Sequence, residues 1–254
     1  MTLLEAILLG IIQGITEFLP ISSSGHLVLG QHYLGLNVPG NMFEIVVHLG
    51  TMISVIVVFR QDLVKLLWSL KEKNTQQYIL AIIFGTLPAA IAGLLFKDRI
   101  VSIFDNVQMV SLALIITGIV LLSTRLMLTK NAPFKFGSGI IIGMAQAMAI
   151  IPGISRSGFT IAAGLILGMR RAEIAKFSFL LSIPAITGAG ILTFLDIGEA
   201  ASSGLTLPIL LAGFFTSFGV GVVSLYWLLS WLKSGKFHWF GIYCLGLGLM
   251  TGIL

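Results

Sequence analysis

QGITEFLPISSSGH, residues Gln13 to His26, is the stretch on which the reading of this chain turns. Between apolar segments it places Gln13, Thr16, Glu17, Ser22, Ser23, Ser24 and His26 within fourteen positions. Lipid offers polar side chains no partners, so such a cluster must face protein, water or a ligand. Its pattern is helix, break, helix. Gln13 and Glu17 lie four apart on one helical face, Pro20 is expected to end that helix at about Leu19, and Ser22 to Gly25 suit the start of a second helix. Backbone N–H groups at such a start are free to bind an anion. A carboxylate, hydroxyls, an imidazole and helix-end amides together suit a phosphate better than a sugar or a hydrocarbon.

The surroundings bound the class. Of 254 residues, 57% are hydrophobic and only 10% charged, which marks an integral membrane protein with one domain, residues 1–254. The net charge of +5 arises from fifteen basic residues set between apolar runs, with no basic patch carrying interleaved aromatics, so nucleic acid is not an expected partner. The single cysteine, Cys244, has no disulfide or CxxC partner and is either lipid-facing or packed. The opening MTLLEAILLG carries Glu5 and no Lys or Arg, which argues against a cleaved signal peptide.

Two interrupted hairpins stand out from the longer apolar runs. The first covers about 3–19 and 23–36; the second, about 137–168, holds Pro152, Gly153, Arg156 and Gly158. Their arms of about 12–17 residues fall short of the ~20 needed to cross a bilayer, so both read as re-entrant loops shielded by protein. Full spans are expected at about 42–59, 77–96, 106–127, 174–194, 206–230 and 238–254, with a hydrophilic segment at 61–76.

The hairpins are also related to each other. At a constant offset of 133, Gly10 meets Gly143, Gln13 meets Gln146, Ser22 meets Ser155, Ser24 meets Ser157, Gly25 meets Gly158 and Gly35 meets Gly168. These matches fall on polar and glycine positions and indicate a duplication, repeat 1 about 1–127 and repeat 2 about 134–254. One hairpin and three spans per half turns the second half upside down, an inverted repeat. Alternating the loops then puts Arg60, Lys65, Lys71, Lys73, Arg125, Lys130, Lys135, Arg170, Arg171, Lys176, Lys233 and Lys236 on one side. Lys97 and Arg99, with Asp196 and Glu199, fall on the other, so the basic side is expected in the cytoplasm and both termini outside. The first hairpin then enters from the outer face and the second from the cytoplasmic face, with their polar tips meeting near the midplane.

At those tips the copies differ. Under the same offset Ser23 corresponds to Arg156 and Glu17 to Ile150, so one tip keeps an acid and hydroxyls and the other supplies a cation. A buried charge there costs a few kcal/mol unless paired. The partners available to Arg156 are Glu17 or a bound anion, and its planar fork matches phosphate oxygens better than a lysine would.

GIIQGITEFLPISSSGH together with PGISRSG, the Phe43–Glu44 pair and the spacing between them resembles the undecaprenyl-diphosphate phosphatase family, the bacitracin-resistance proteins. The similarity runs through essentially the whole chain. It implies removal of one phosphate from a C55 isoprenyl diphosphate, recycling the lipid carrier for cell-wall polymers and conferring bacitracin resistance. It further implies a plasma-membrane location with the site open to the outer face, and dependence on a divalent cation, Mg2+ or Ca2+. The family's first motif is written Glu or Gln, three residues, then Glu, which leaves Glu17 here as the only acid of the pair, with Gln13 at the variable position.

On that resemblance Glu17 is a general base or metal ligand, and Gln13 binds a phosphate oxygen or a metal-bound water. Ser23, opposite Arg156 in the repeat, is the nucleophile or the nearest phosphate ligand, the alternative attacker being water. His26, on the face of Ser22 and Ser23, either moves a proton or is structural. Ser22 and Ser24 bind substrate or cap the helix. Arg156 stabilises the transferring phosphoryl group, helped by the amides from Ser155 through Ser157 to Gly158, with Gly25 at the matching place in the first hairpin. Glu44 reaches the site or marks the interface, while His32, His48 and His238 are expected to be interfacial or packing residues.

Two rivals are weighed. A lipid-phosphatase fold with PSGH and SR motifs needs a histidine six residues after the SR arginine, and that position is Ala162. An inverted-repeat carrier that flips isoprenyl phosphates is the stronger alternative. Span glycines such as Gly213, Gly219 and Gly221 permit close helix contact, within the chain or across a homodimer.

Overall fold

The computed structural model describes residues 1–36, 42–96, 99, 103, 106–127, 131–195 and 205–252, and among these every regular element is helical. Lys97, Lys130, Asp196 and Glu199, which entered the charge count, lie outside the described residues. The helices are α1 (Leu3–Thr16), α2 (Ser23–Tyr33), α3 (Met42–Val58), α4 (Arg60–Trp68), α5 (Lys73–Leu95) and α6 (Val107–Ser123). They continue as α7 (Phe136–Met148), α8 (Arg156–Ile166), α9 (Arg171–Leu195), α10 (Leu207–Lys233) and α11 (Trp239–Gly252).

Length sorts these helices. Four are long and apolar enough to cross a bilayer, α5, α6 with the short 3-10 turn that ends it, α9 and α10; α3 with α4, joined at a 65° bend, makes a fifth. At ~1.5 Å per residue, hairpin helices of 11 to 14 residues reach only about 20 Å, against a hydrocarbon core of ~30 Å. The helix found within the expected last span, α11, has 14 residues. α2 lies back on α1, where Gly30 leaves room for the side chains of Leu9 and Ile12. The first helix is started by a capping box, Thr2 Oγ1 accepting from the Glu5 amide and Glu5 Oε2 from the Thr2 amide.

α1 ends three residues earlier than Pro20 alone suggests, at Thr16, and residues 17–21 form a turn. The amide of Glu17 still bonds back to the Gln13 carbonyl, so the acid sits at the helix end with its side chain free to turn inward.

Glycine lets the hairpins seat deeply. A Cβ at Gly14 would lie 2.9 Å from the Ser217 carbonyl on α10, and one at Gly143 would lie 2.2 Å from the Gly85 carbonyl on α5. Thus α1 packs on α10 as α7 packs on α5, while α6 packs on α11 and α3 on α9. Gly213 and Gly221 are spent within the chain, against Phe43 and against Ser54 and Phe18; Gly219 faces open space. The main core joins Phe18, Val55, Phe177, Phe179 and Leu225, directly beneath the polar tips. At the basic end, the amphipathic α4 is tied to α9 by the Lys176–Asp62 ion pair.

The second helices of the two hairpins have matching limits. Ser23 and Arg156 open α2 and α8, Tyr33 and Ile166 close them, and each pair is 133 positions apart.

Candidate active site

Glu17 is the centre. Its carboxylate is almost fully buried, and Arg156 Nη2 donates to Oε1 at 2.5 Å. On the other oxygen, Oε2, Ser23 Oγ donates at 2.6 Å and Gln13 Nε2 at 3.1 Å. The two hairpins therefore meet through a buried acid–guanidinium pair. Removing one partner of such a pair strands the other and costs roughly 3–5 kcal/mol. The Arg156 head also lies over the Phe179 ring at 5.7 Å and donates to the Ser178 carbonyl at 3.4 Å, both on α9.

Each serine cluster has a definite task. Ser22 Oγ caps α2 through the Gly25 amide at 3.3 Å, and Ser155 Oγ caps α8 through the Gly158 amide at 3.1 Å. Each capping hydroxyl also lies 3.3 Å from that of the serine two residues on, Ser24 or Ser157. Ser157 Oγ crosses to the Leu19 carbonyl at 3.2 Å, and a Cβ on Gly25 would sit 3.2 Å from Gly153 Cα, so the tips interlock by backbone as well as by charge. Behind the second tip, Thr117 Oγ1 donates to the Gly153 carbonyl and accepts from the Ser155 amide. Cys244, fully buried, directs Sγ at the Pro20 carbonyl, which settles it as packed rather than lipid-facing.

One residue corrects the sequence reading. His48, expected to be an interfacial or packing residue, directs Nε2 to within 3.5 Å of Glu17 Oε2, while Nδ1 is fixed 2.6 Å from the Glu44 carbonyl. Its neighbour on the next turn, Thr51, accepts from Gln13 at 3.4 Å. Glu44 itself turns away, Oε1 accepting from Gln31. His26 belongs to the tip but bonds away from Glu17, Nδ1 with the Ser22 carbonyl and Nε2 with the Tyr243 hydroxyl, each at 2.8 Å.

Ser22 also carries strain. It has φ 69°, one of two non-glycine residues with positive φ among the described residues, a conformation that costs about 1–3 kcal/mol and concentrates at functional sites.

Taken together, fold and site define a polytopic helical membrane protein in which two paired helix starts close an acid, a guanidinium and hydroxyls into one buried cluster. Its family follows from the whole sequence: the chain matches the family described as "Bacitracin resistance protein BacA" over residues 6–250, and it belongs to that family. It is 41% identical over 271 residues to an undecaprenyl-diphosphatase of Desulforapulum autotrophicum, covering 99% of this chain and 98% of that protein. It is 40% identical to one of Rhodopirellula baltica, covering 99% and 98%, and 41% identical to one of Christiangramia forsetii, covering 98% and 97%.

Proposed function

We propose that this chain is a membrane phosphatase that hydrolyses undecaprenyl diphosphate to the monophosphate and inorganic phosphate. The observation that carries the proposal is Glu17 held between Arg156 and Ser23, with Ser23 Oγ–H donated to the carboxylate at 2.6 Å. A hydroxyl hydrogen-bonded to a buried carboxylate is placed to give up its proton as it attacks. In the step proposed, Ser23 Oγ bonds to the terminal phosphorus, the bridging P–O bond breaks, the lipid monophosphate leaves and Glu17 takes the hydroxyl proton. Water then cleaves the serine phosphate. Water attacking directly, with Glu17 again as base, is the variant that leaves no covalent intermediate. Arg156 lies across the cluster where the phosphoryl oxygens gain charge, and its fork suits them. The amides of α2 and α8 add donors that need no reorganisation.

A divalent ion fits one part of this cluster. Gln13 Oε1 is buried without a hydrogen-bond partner among the described residues and sits on the side chain that also donates to Glu17. Gln13 and Glu17 would hold Mg2+ or Ca2+ jointly with diphosphate oxygens, since no group of three or more His, Cys, Asp or Glu among the described residues could hold a metal. Such an ion supplies neutralisation of phosphate charge.

The excess of basic residues on one side supports a plasma-membrane orientation with the site opening outward. A homodimer would use the face of α10 around Gly219, where Phe215 and Val223 are exposed. Paired hairpins at matching positions also favour a second reading, a carrier that moves isoprenyl phosphates between leaflets. Release of inorganic phosphate from farnesyl or undecaprenyl diphosphate in detergent, where no two-sided membrane exists, separates the two. Arg156→Ala is expected to abolish that release. Arg156→Lys, which keeps a charge opposite Glu17 but loses the fork, is expected to lower it by roughly 10²-fold. Near-normal release by both variants would overturn the site.

A further inference from the structure

The two hairpins share a cap but not a backbone conformation. Ser22 and Ser155 occupy equivalent positions, and each caps the glycine three residues on, yet Ser22 has φ 69° where Ser155 has φ −74°. The residue four positions after the cap differs as well, His26 in one copy and Phe159 in the other. Both donate their backbone amide to the cap carbonyl, at 3.1 Å and 2.9 Å. Only His26 adds a second bond to that oxygen, from its ring.

The ring's tautomer follows from its neighbours. A carbonyl only accepts, so Nδ1, 2.8 Å from the Ser22 oxygen, carries the proton. The neutral ring then presents a lone pair at Nε2. The group 2.8 Å from it is the Tyr243 hydroxyl, which donates, with the two rings inclined by only 9°. Tyr243 stands on α11, at the far end of the sequence from the hairpin it touches. The bond train runs Tyr243 to His26 to the Ser22 peptide, and the next residue, Ser23, places its hydroxyl on Glu17.

We propose that Tyr243 is a positioning residue for the reaction: through His26 it holds the strained Ser22 peptide and so sets Ser23 Oγ against Glu17. This inference rests on the hydrolase reading for its kinetic consequence, but not for its structural one. The phenol acts at a distance from the reacting atoms, by fixing the ring that fixes the turn. The second hairpin, with phenylalanine in place of histidine, has no such clamp, and its cap relaxes to ordinary backbone.

Two measurements on the full-length protein in detergent test the clamp. In steady-state release of phosphate from farnesyl diphosphate, Tyr243→Phe is expected to lower kcat roughly 10-fold while KM stays within about twofold, because the reacting groups are misplaced rather than removed. In a His26→Phe background the same substitution should have no further effect. Nitrogen-15 NMR of histidine-labelled protein, with the His26 signal identified by its loss in the His26 variant, should show the Nδ1-protonated form in the parent and a mixture in Tyr243→Phe. Unchanged kcat in Tyr243→Phe, an equal loss with and without His26, or an Nε2-protonated His26 in the parent would each overturn the proposal. Should the parent release no phosphate, the hydrolase reading fails, and the NMR comparison alone decides the clamp.

Discussion

The two hairpins are built alike and equipped differently. Their second helices start and stop at equivalent residues, their capping serines bond equivalent glycines, and a second serine lies equally close to each cap. Yet the first carries Glu17 and Ser23 where the second carries Ile150 and Arg156. Gln13 is engaged with Glu17 and Thr51, whereas its counterpart Gln146 has neither amide atom hydrogen-bonded among the described residues. The lesson is that one hairpin design occurs twice, while a charged pair is divided between the two occurrences. Neither hairpin holds a stable buried charge without the other.

That comparison is most easily broken at Glu17. Glu17→Gln keeps the size and the hydrogen-bonding reach of the side chain but removes the base, and phosphate release is expected to fall by roughly 10³-fold. Full activity in this variant, measured by phosphate release in detergent, would mean that the asymmetry between the hairpins is not catalytic. A smaller effect sharpens the packing half of the comparison. Gly143→Ala drives a methyl to 2.2 Å from the Gly85 carbonyl, whereas Gly10→Ala meets Gly213 and Thr216 atoms at 3.0 Å. Thermal melting should register a loss of about 3 kcal/mol for the first and about 1 kcal/mol for the second. An inverted order would mean that α7 seats on α5 less tightly than α1 on α10. The smallest effect is expected at Gln146. Replacement by leucine removes two unpaired polar atoms from a buried site and should leave stability unchanged or raise it by about 1 kcal/mol. A marked loss on melting would show that Gln146 has an unseen partner, as Gln13 has a visible one.

Much of this was readable in the sequence because lipid punishes unpaired charge. Glu17 and Arg156 stand out in apolar hairpins, and a buried acid and a buried guanidinium had few partners other than each other. The internal offset located the hairpins for the same reason: caps and glycines are dictated by local backbone needs, so their spacing survives. What stayed hidden depends on how helices pack. His48 carries no local mark, and its approach to Glu17 is set by the side of α3 that turns toward α1. The Tyr243 contact spans more than two hundred residues of sequence, and the positive φ of Ser22 has no glycine or asparagine to announce it. The early end of α1 at Thr16 went unread because Pro20 constrains Leu19 directly, while residues 17–21 were needed to turn the carboxylate inward.

The enclosure of Cys244 has a practical consequence. The chain's only thiol is sealed behind the first hairpin, so maleimide added to whole cells should pass it by. A cysteine installed at Leu126 or Trp68 would then be the sole target, and its labelling with membrane-impermeant reagent would report sidedness on an otherwise natural background.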